Sequence, residues 1–491
     1  YETGLGEEHL GLLPGIATMR VLAEILEGTP VKSEASSHFI TGQPVVGVWP
    51  SGLEHLLFPG FKGEVWVKEG HDAARRDIGD DLPPVSVAAV LGAGNQISVV
   101  ICDILHKLFM DNTVVACKMN PVNEAYGPFL ASAFKPFVDL GVLEILYGGK
   151  EAGRALCTHQ DVSSVFITGS AATFDAIVWQ DGRKEGEPPM KKKVEGELGN
   201  KTPVIVIPGA WSEEELDYHA KQIVSGKVHN AGHNCIALEC IVTAAGWSLR
   251  GHFLDRLRHH LARAQNRVGY YPGTAENRKS FSQDYADLVE EFGEPSSEEA
   301  AAGVAPWLFA PGVAPEDVKG DVEYFCGVCI EVPLEGDGDD VDVWLANAVE
   351  FCNSRLYGSL ACSIYVDPGT YATHKVHIEQ AIVNLKYGSV SVNVPPLVSF
   401  ALPMMPWGAW GAAGTAHDIG SGNCLTHNVN GYQHVEKSVL RAPFRPAFYM
   451  AWGFDHLSLE NLARVLGDMY SRPTMSGVLR CLPPALAGGK P

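Results

Sequence analysis

The chain has 491 residues, 46% of them hydrophobic and 19% charged; this is a globular balance, and the length exceeds the roughly 250–300 residues of one core, so two or more domains are expected. A formal charge of -21 disfavours nonspecific binding to nucleic acid or anionic lipid, since both need a basic face, and directs attention to small-molecule chemistry. Eleven scattered cysteines without a framework spacing read as reduced thiols of an intracellular protein, cytoplasmic or of an organellar matrix. No uninterrupted apolar run reaches about 18 residues, so no membrane span is expected, and no signal-peptide pattern is recognisable.

From Pro84 onward the pattern becomes regular. Apolar runs at Val85 to Leu91, Thr113 to Lys118, Val142 to Tyr147 and Ser164 to Thr168 alternate with helical stretches, among them Ile97 to Met110, Lys150 to Thr158 and Ala172 to Trp179. Such alternation predicts a parallel sheet whose ligand lies at the carboxyl ends of the strands. Those ends carry Gly92-Ala-Gly-Asn95, Lys118, Gly148-Gly149 and Thr168-Gly169-Ser170. The full Gly-x-Gly-x-x-Gly fingerprint is missing. The N–H groups after Gly169 and Ser170 suit either a pyrophosphate or an ordinary helix cap.

A polar stretch from Gln180 to Lys193 predicts a solvated loop before a strand at Thr202 to Ile207. A helix follows at Ser212 to Ser225, with Ser212 as N-cap and Glu215 closing a capping box. Next comes Asn230-Ala-Gly-His-Asn-Cys235, in which a glycine turn before a cysteine can expose a sulfur among free N–H groups. Farther on, Cys326-Gly-Val-Cys329 falls in the strand-like run Tyr324 to Val332 and has no second pair to complete a zinc site. The acidic tract Glu335 to Asp340 lacks an EF-hand loop and reads as a surface turn. No metal is expected.

In the family's order, Asn95, Lys118, Phe166-Ile-Thr-Gly-Ser170, Glu197-Leu-Gly, Asn230-x-Gly232-x-x-Cys235, Glu323-x-Phe325 and Pro406-Trp-Gly408 stand as short motifs. Together they resemble those of the NAD(P)-dependent aldehyde dehydrogenase superfamily, across roughly Pro84 to Arg445. The resemblance implies an α/β fold with a Rossmann-type parallel-sheet nucleotide domain, an α/β catalytic domain and small oligomerisation strands. It implies a small-molecule aldehyde as substrate and NAD or NADP as cofactor. It makes Cys235 the nucleophile, Asn95 with the Cys235 N–H the oxyanion donors, and Glu197 the base that activates water. Lys118, Gly169, Ser170, Glu323 and Phe325 would hold the cofactor. In isolation each of these residues has an ordinary structural alternative, such as a turn asparagine, a surface lysine or a salt-bridging carboxylate.

Three departures stand out. Asn200 replaces the second glycine of Glu-Leu-Gly-Gly, and Gly-His-Asn-Cys235 replaces Gly-Gln-x-Cys, both as in CoA-acylating relatives; retention of Glu197 favours water as the acyl acceptor. After Lys118 stands Met-Asn-Pro121, with no glutamate to repel a 2′-phosphate. A structural or assembly subunit is the alternative of another class. The expected organisation is a nucleotide domain over 1–199, with 58–83 contributing to an oligomerisation hairpin. A catalytic domain over 200–425, an oligomerisation strand over 426–445 and an extension without an assigned role over 446–491 would follow. By resemblance, Phe58 to Val67 and Lys437 to Pro443 would pair as a projecting arm of a homodimer or homotetramer.

Overall fold

The computed structural model describes residues 2–29, 31, 33–76, 78, 84–180, 182–336, 340–449 and 451–489. Two helices, α1 (Glu2–Gly11) and α2 (Leu13–Leu26), lead into strands β1 (Glu34–Ser37), β2 (Pro44–Trp49) and β3 (Lys62–Val67). The nucleotide-type unit follows as β4 (Ser86–Leu91), α3 (Ile97–Leu105), β5 (Thr113–Lys118), β6 (Leu143–Leu146), α4 (Lys150–Thr158), β7 (Ser164–Gly169), α5 (Ala171–Val178) and β8 (Lys193–Leu198). Beyond it lie β9 (Pro203–Val206), α6 (Glu213–Val228), β10 (Cys240–Ala244), β11 (Glu290–Phe292), β12 (Trp307–Ala310) and β13 (Val328–Leu334). The chain closes with β14 (Ala361–Tyr365), α7 (Pro368–Asn384), β15 (Ser389–Val392), β16 (Val435–Arg441), α8 (Leu459–Ser471) and α9 (Met475–Ala487).

Strands β4 to β8 form a five-stranded sheet in the order β6-β5-β4-β7-β8, parallel throughout. The chain builds outward from β4 on one side and returns to build on the other, so a topological switch point opens between β4 and β7. Val87 to Val90 and Val165 to Ile167 supply the apolar runs that a sheet covered on both faces requires. The α6 helix begins as its sequence foretells. Ser212 accepts from the Glu215 N–H and the Glu215 carboxylate returns to the Ser212 N–H, satisfying two donors that a bare helix start leaves open.

The second sheet has eleven strands in the order β1-β2-β3-β16-β15-β14-β9-β10-β13-β12-β11, and it corrects the expected division of the chain. Residues 34–67 belong to this sheet with the catalytic strands, not to a nucleotide domain over 1–199. The strand partners foreseen for 58–67 and 437–443 do meet, as β3 against antiparallel β16, but they do not project. Both edges of β3 are hydrogen-bonded, to β2 and to β16, and β16 runs parallel to β15. A strand with no free edge cannot extend a neighbour's sheet without leaving its own.

The reason lies in two buried cations on β16. Lys437 Nζ donates to the carbonyls of Ile382, Val383 and Leu385 at 3.0, 2.8 and 2.6 Å, around the C-terminus of α7. The Arg441 guanidinium grips Glu379 of α7 through both nitrogens at 2.7 and 2.8 Å, with Glu64 of β3 at 3.3 Å. A fork-on-fork pair and a capped helix end fix the register of this strand in its own chain.

The tract over 446–491, without a role from sequence, supplies α8 and α9. Leu462, Leu466, Met469 and Tyr470 of α8 bury with Leu13 and Ala17 of α2, Val478 and Cys481 of α9, and Leu57. The segment Gly6–Leu26 has the length and hydropathy of a membrane-crossing helix, yet Leu13, Ala17, Val21 and Leu22 within it are buried against the rest of this chain. Residues 337–339, half of the acidic turn read at Glu335 to Asp340, lie outside the described residues.

Candidate active site

One cavity of about 970 Å3 runs between the two sheets, and all eight residues singled out from sequence line it: Asn95, Lys118, Gly169, Ser170, Glu197, Cys235, Glu323 and Phe325. They come from six separate segments of chain. The shared wall is therefore a tertiary fact that no single motif contains.

The turn before Cys235 is held in an unusual backbone. Asn230, Ala231 and Gly232 have φ of 52°, 56° and 80°, three left-handed residues in succession. Ala231 pays roughly 1–2 kcal/mol for that conformation, and the surroundings must hold it. They do so through Asn230, whose amide donates to the carbonyls of Asn95 and His233 at 3.2 and 3.0 Å, and through Tyr270, whose hydroxyl donates to the Asn95 carbonyl at 3.0 Å. Only glycine fits at 232, because a Cβ there would lie 2.6 Å from the Cys326 carbonyl oxygen. Cys326 is thus a buried support of the turn and Cys329 a buried core residue; of the strand-like run only 328–332 is strand, within β13.

Cys235 Sγ lies 3.9 Å from Glu197 Oε1. The same carboxylate oxygen accepts from the Trp407 indole at 3.2 Å. Burial, with a contribution from Asp103, pushes the Glu197 carboxyl up to about 8. Burial and the neighbouring carboxyls of Glu197 and Glu323 push the Cys235 thiol well up. At neutral pH the thiol therefore holds its proton and most of Glu197 is protonated; the ionised fraction of Glu197 is the form that can accept the thiol proton.

Asn95 donates its amide to the His233 carbonyl at 3.0 Å, leaving the second proton of the same –NH2 for a ligand. The Cys235 N–H is turned toward its own sulfur. His233, one of the departures from the family pattern, is a brace: its Nδ1 pairs with the Phe325 carbonyl at 2.7 Å and its ring meets Tyr270 and Tyr271. Burial depresses it to about 4, so it stays neutral. Asn200, the other departure, donates to Thr202 Oγ1 at 3.0 Å and to the Ala361 carbonyl at 2.7 Å. Both substitutions serve the scaffold.

Around the nucleotide end, the Glu323 Oε1 atom is buried without a partner while its residue lines the cavity. Its other oxygen sits where a Cβ on Gly199 would be, 1.8 Å away, so only glycine admits this carboxyl. Ser170 caps α5, accepting from the Thr173 N–H at 3.2 Å. Lys118, Lys150 and Arg154 line the same end. An orphaned acceptor, a helix N-terminus and three cations suit ribose hydroxyls and a pyrophosphate, so the donor set fits a dinucleotide.

A match to the aldehyde dehydrogenase family spans residues 81–274, from the start of the parallel sheet through the Cys235 turn. Over this segment the chain is similar to the aldehyde dehydrogenase family. Similar proteins include N-succinylglutamate 5-semialdehyde dehydrogenase of Novosphingobium aromaticivorans, 25% identical over 61% of this chain and 62% of its own. Aminoacetaldehyde dehydrogenase of Pseudomonas aeruginosa is 29% identical over 52% of this chain and 49% of its own. The chain thus spans 62% and 49% of the length of these relatives. The aldehyde dehydrogenase fold extends farther. A Mycobacterium tuberculosis aldehyde dehydrogenase complexed with NAD+ superposes with a TM-score of 0.59 at 17% identity, over 89% of this chain and 77% of the other. Gamma-glutamyl-gamma-aminobutyraldehyde dehydrogenase of Burkholderia cenocepacia gives 0.59 at 19% identity, over 90% and 82%.

Two residues at this aldehyde dehydrogenase-like site escaped the motif reading. Trp407 was visible only as part of Pro-Trp-Gly and as a nearby aromatic, while its contact with Glu197 spans 210 positions. Asp103 was read as one more position of a helix. It is buried on α3, accepts from Thr168 Oγ1 at 2.8 Å, and Thr168 is the direct strand partner of Glu197. Burial raises Asp103 to about 7. Above that pH its negative charge opposes ionisation of Glu197. The Asp103→Asn variant is therefore expected to lower the Glu197 pKa and move the acid limb of turnover from about 8 to lower pH, checked by a pH–kcat profile.

Proposed function

We propose that this protein oxidises an aldehyde to a carboxylic acid with NAD or NADP as the electron acceptor, through an acyl group carried on Cys235. The observation that carries this reading is the placement of the Cys235 sulfur 3.9 Å from the Glu197 carboxylate, in one cavity with the Asn95 amide. Glu197 Oε1 takes the thiol proton as Cys235 Sγ attacks the carbonyl carbon. The resulting oxyanion meets the free Asn95 N–H and the Cys235 N–H once that turns from its own sulfur; one such donor is worth about 2.7–4 kcal/mol. A bound oxidised nicotinamide would supply the hydride acceptor that converts the thiohemiacetal into a thioester. Glu197, deprotonated again, activates the water that opens the thioester, while Trp407 keeps its carboxylate aimed.

Lys118, Glu323 and Phe325 would hold the ribose rings and nicotinamide, with Gly169 and Ser170 at the pyrophosphate. Among the described residues, no carboxylate lines the cavity beside Lys118, Lys150 and Arg154, although the charge of Glu124 reaches Lys118 from outside the lining. Three cations on this wall favour the extra phosphate of NADP. Water is favoured over CoA because Glu197 is within reach of the sulfur and because Asn200 and His233 are occupied inside the scaffold.

The test is formation of reduced nicotinamide by the purified protein with aliphatic and aromatic aldehydes, with NAD or NADP, and with or without CoA. The expected result is turnover independent of CoA, with a higher kcat/KM for NADP. No turnover in any combination, with Cys235 unreactive to iodoacetamide, refutes the reading.

A further inference from the structure

Apart from the residues of the nucleotide end, the cavity has an apolar chamber wall drawn from both termini. Leu397 and Phe400 pack in one cluster with Cys235 and Trp407. Beyond them lie Trp49 and Phe58, whose ring centroids are 4.9 Å apart, then Trp452, and Leu466 with Tyr470 of α8. Leu10 to Pro14, spanning the join of α1 and α2, close the remaining side.

Among the described residues, five acidic or basic side chains line the cavity, and each is already placed. Lys118, Lys150, Arg154 and Glu323 stand at the nucleotide end, and Glu197 stands beside Cys235. The other titratable lining group with a displaced pKa among the histidines, His229, is lowered by burial and is neutral. The polar groups toward the chamber, Gln96, Ser98 and the rings of Trp452 and Tyr470, are uncharged. A substrate bearing a carboxylate or an ammonium would lose its hydration here and find no opposite charge, which is unfavourable.

The wall is firmly tied to the chemistry. Glu7 of α1 pairs with Arg267 through both carboxylate oxygens at 2.6 and 2.9 Å, and its Oε2 accepts from the Asn230 N–H at 3.3 Å. The first helix thus reaches the left-handed turn that presents Cys235. Arg20 of α2 lies over the Tyr470 ring at 6.0 Å, and Leu13 buries with Leu466.

From these contacts we infer that the protein takes aldehydes with a bulky apolar body, a long alkyl chain or an aromatic group, and that the terminal helices α2 and α8 set this preference. The inference rests on the reading of Cys235 as the nucleophile toward an aldehyde. Each buried methylene should raise kcat/KM about fourfold until the chain reaches Leu466.

The test is a kcat/KM series with straight-chain aldehydes from propanal to decanal, cinnamaldehyde, and an ω-carboxy aldehyde of the length of decanal. Decanal and cinnamaldehyde should exceed propanal by 100-fold or more, and the carboxylated aldehyde should fall below decanal by at least the same factor. Leu466→Asp should lower the decanal-to-propanal ratio at least tenfold; should that variant not fold, Leu466→Ala serves with a smaller drop. A series flat with chain length, or one led by the carboxylated aldehyde, overturns the inference while leaving aldehyde oxidation intact. A readout without turnover separates the two readings: decanol, and not propanol, should protect Cys235 from iodoacetamide. Equal protection by both, or none, overturns the apolar chamber whatever the catalytic result.

Discussion

The Cys235→Ala variant is expected to lose the proposed aldehyde oxidation while its fold and cofactor binding survive. Cys235 is half-buried at the cavity wall and its sulfur packs beside Ile236, Phe400 and Trp407, so removing one sulfur atom leaves only a small void. The chemical loss is much larger, because no other side chain at the reacting centre can carry an acyl group. The other lining cysteine, Cys157, sits on α4 at the nucleotide end. Removal of a catalytic nucleophile costs roughly 10^4–10^6-fold in kcat in enzymes that work through a covalent intermediate. Steady-state reduced-nicotinamide formation measures the loss, and unchanged binding of the dinucleotide shows that the cavity remains. Retention of more than a hundredth of the activity would remove Cys235 from its assigned role.

Glu197→Gln separates the two halves of the reaction. Glutamine keeps the shape and continues to accept from the Trp407 indole, but it cannot take a proton from water. The first half should therefore yield a burst of about one equivalent of reduced nicotinamide per site, and the thioester should then persist as a mass increment on Cys235. Loss of a general base typically slows the affected step about 10^2–10^4-fold. Added CoA should not restore the rate. Restoration by CoA would make the protein a CoA-acylating relative, and unimpaired turnover would assign the base elsewhere. The wild-type second half also has a defined pH dependence. A base lifted to about 8 is mostly protonated at pH 6 and mostly ionised at pH 9, so deacylation rises with pH across that interval.

Between Ser86 and Val206 the fold was legible because its signals are local. Apolar runs of four to six residues bounded by glycines specify buried parallel strands. β5 and α4 have the bounds foreseen for them, and the Ser212–Glu215 capping box starts α6 as expected. The candidate site residues were reached for a different reason: their short motifs resemble those of a known family in order, although in isolation each has an ordinary structural alternative. Lys118, Ser170, Glu197 and Cys235 sit at strand ends or turns, where backbone geometry is decided within a few residues.

Sequence by itself thus determined that a parallel nucleotide-type sheet forms, which ends of its strands bear ligand-facing groups, and which thiol follows the glycine turn. Tertiary structure alone decided what those groups meet. The resemblance made 58–67 and 437–443 strand partners, but it says nothing about which sheet the pair joins in this chain; Lys437 on the end of α7 and Arg441 on Glu379 settle that. The lift on Glu197 required Asp103 and Trp407, and the apolar chamber required Leu13 and Leu466 to bury together. Such contacts join residues from 52 to more than 210 positions apart, and they arise from burial of whichever surfaces the finished sheets leave exposed, a quantity that exists only once the chain has folded.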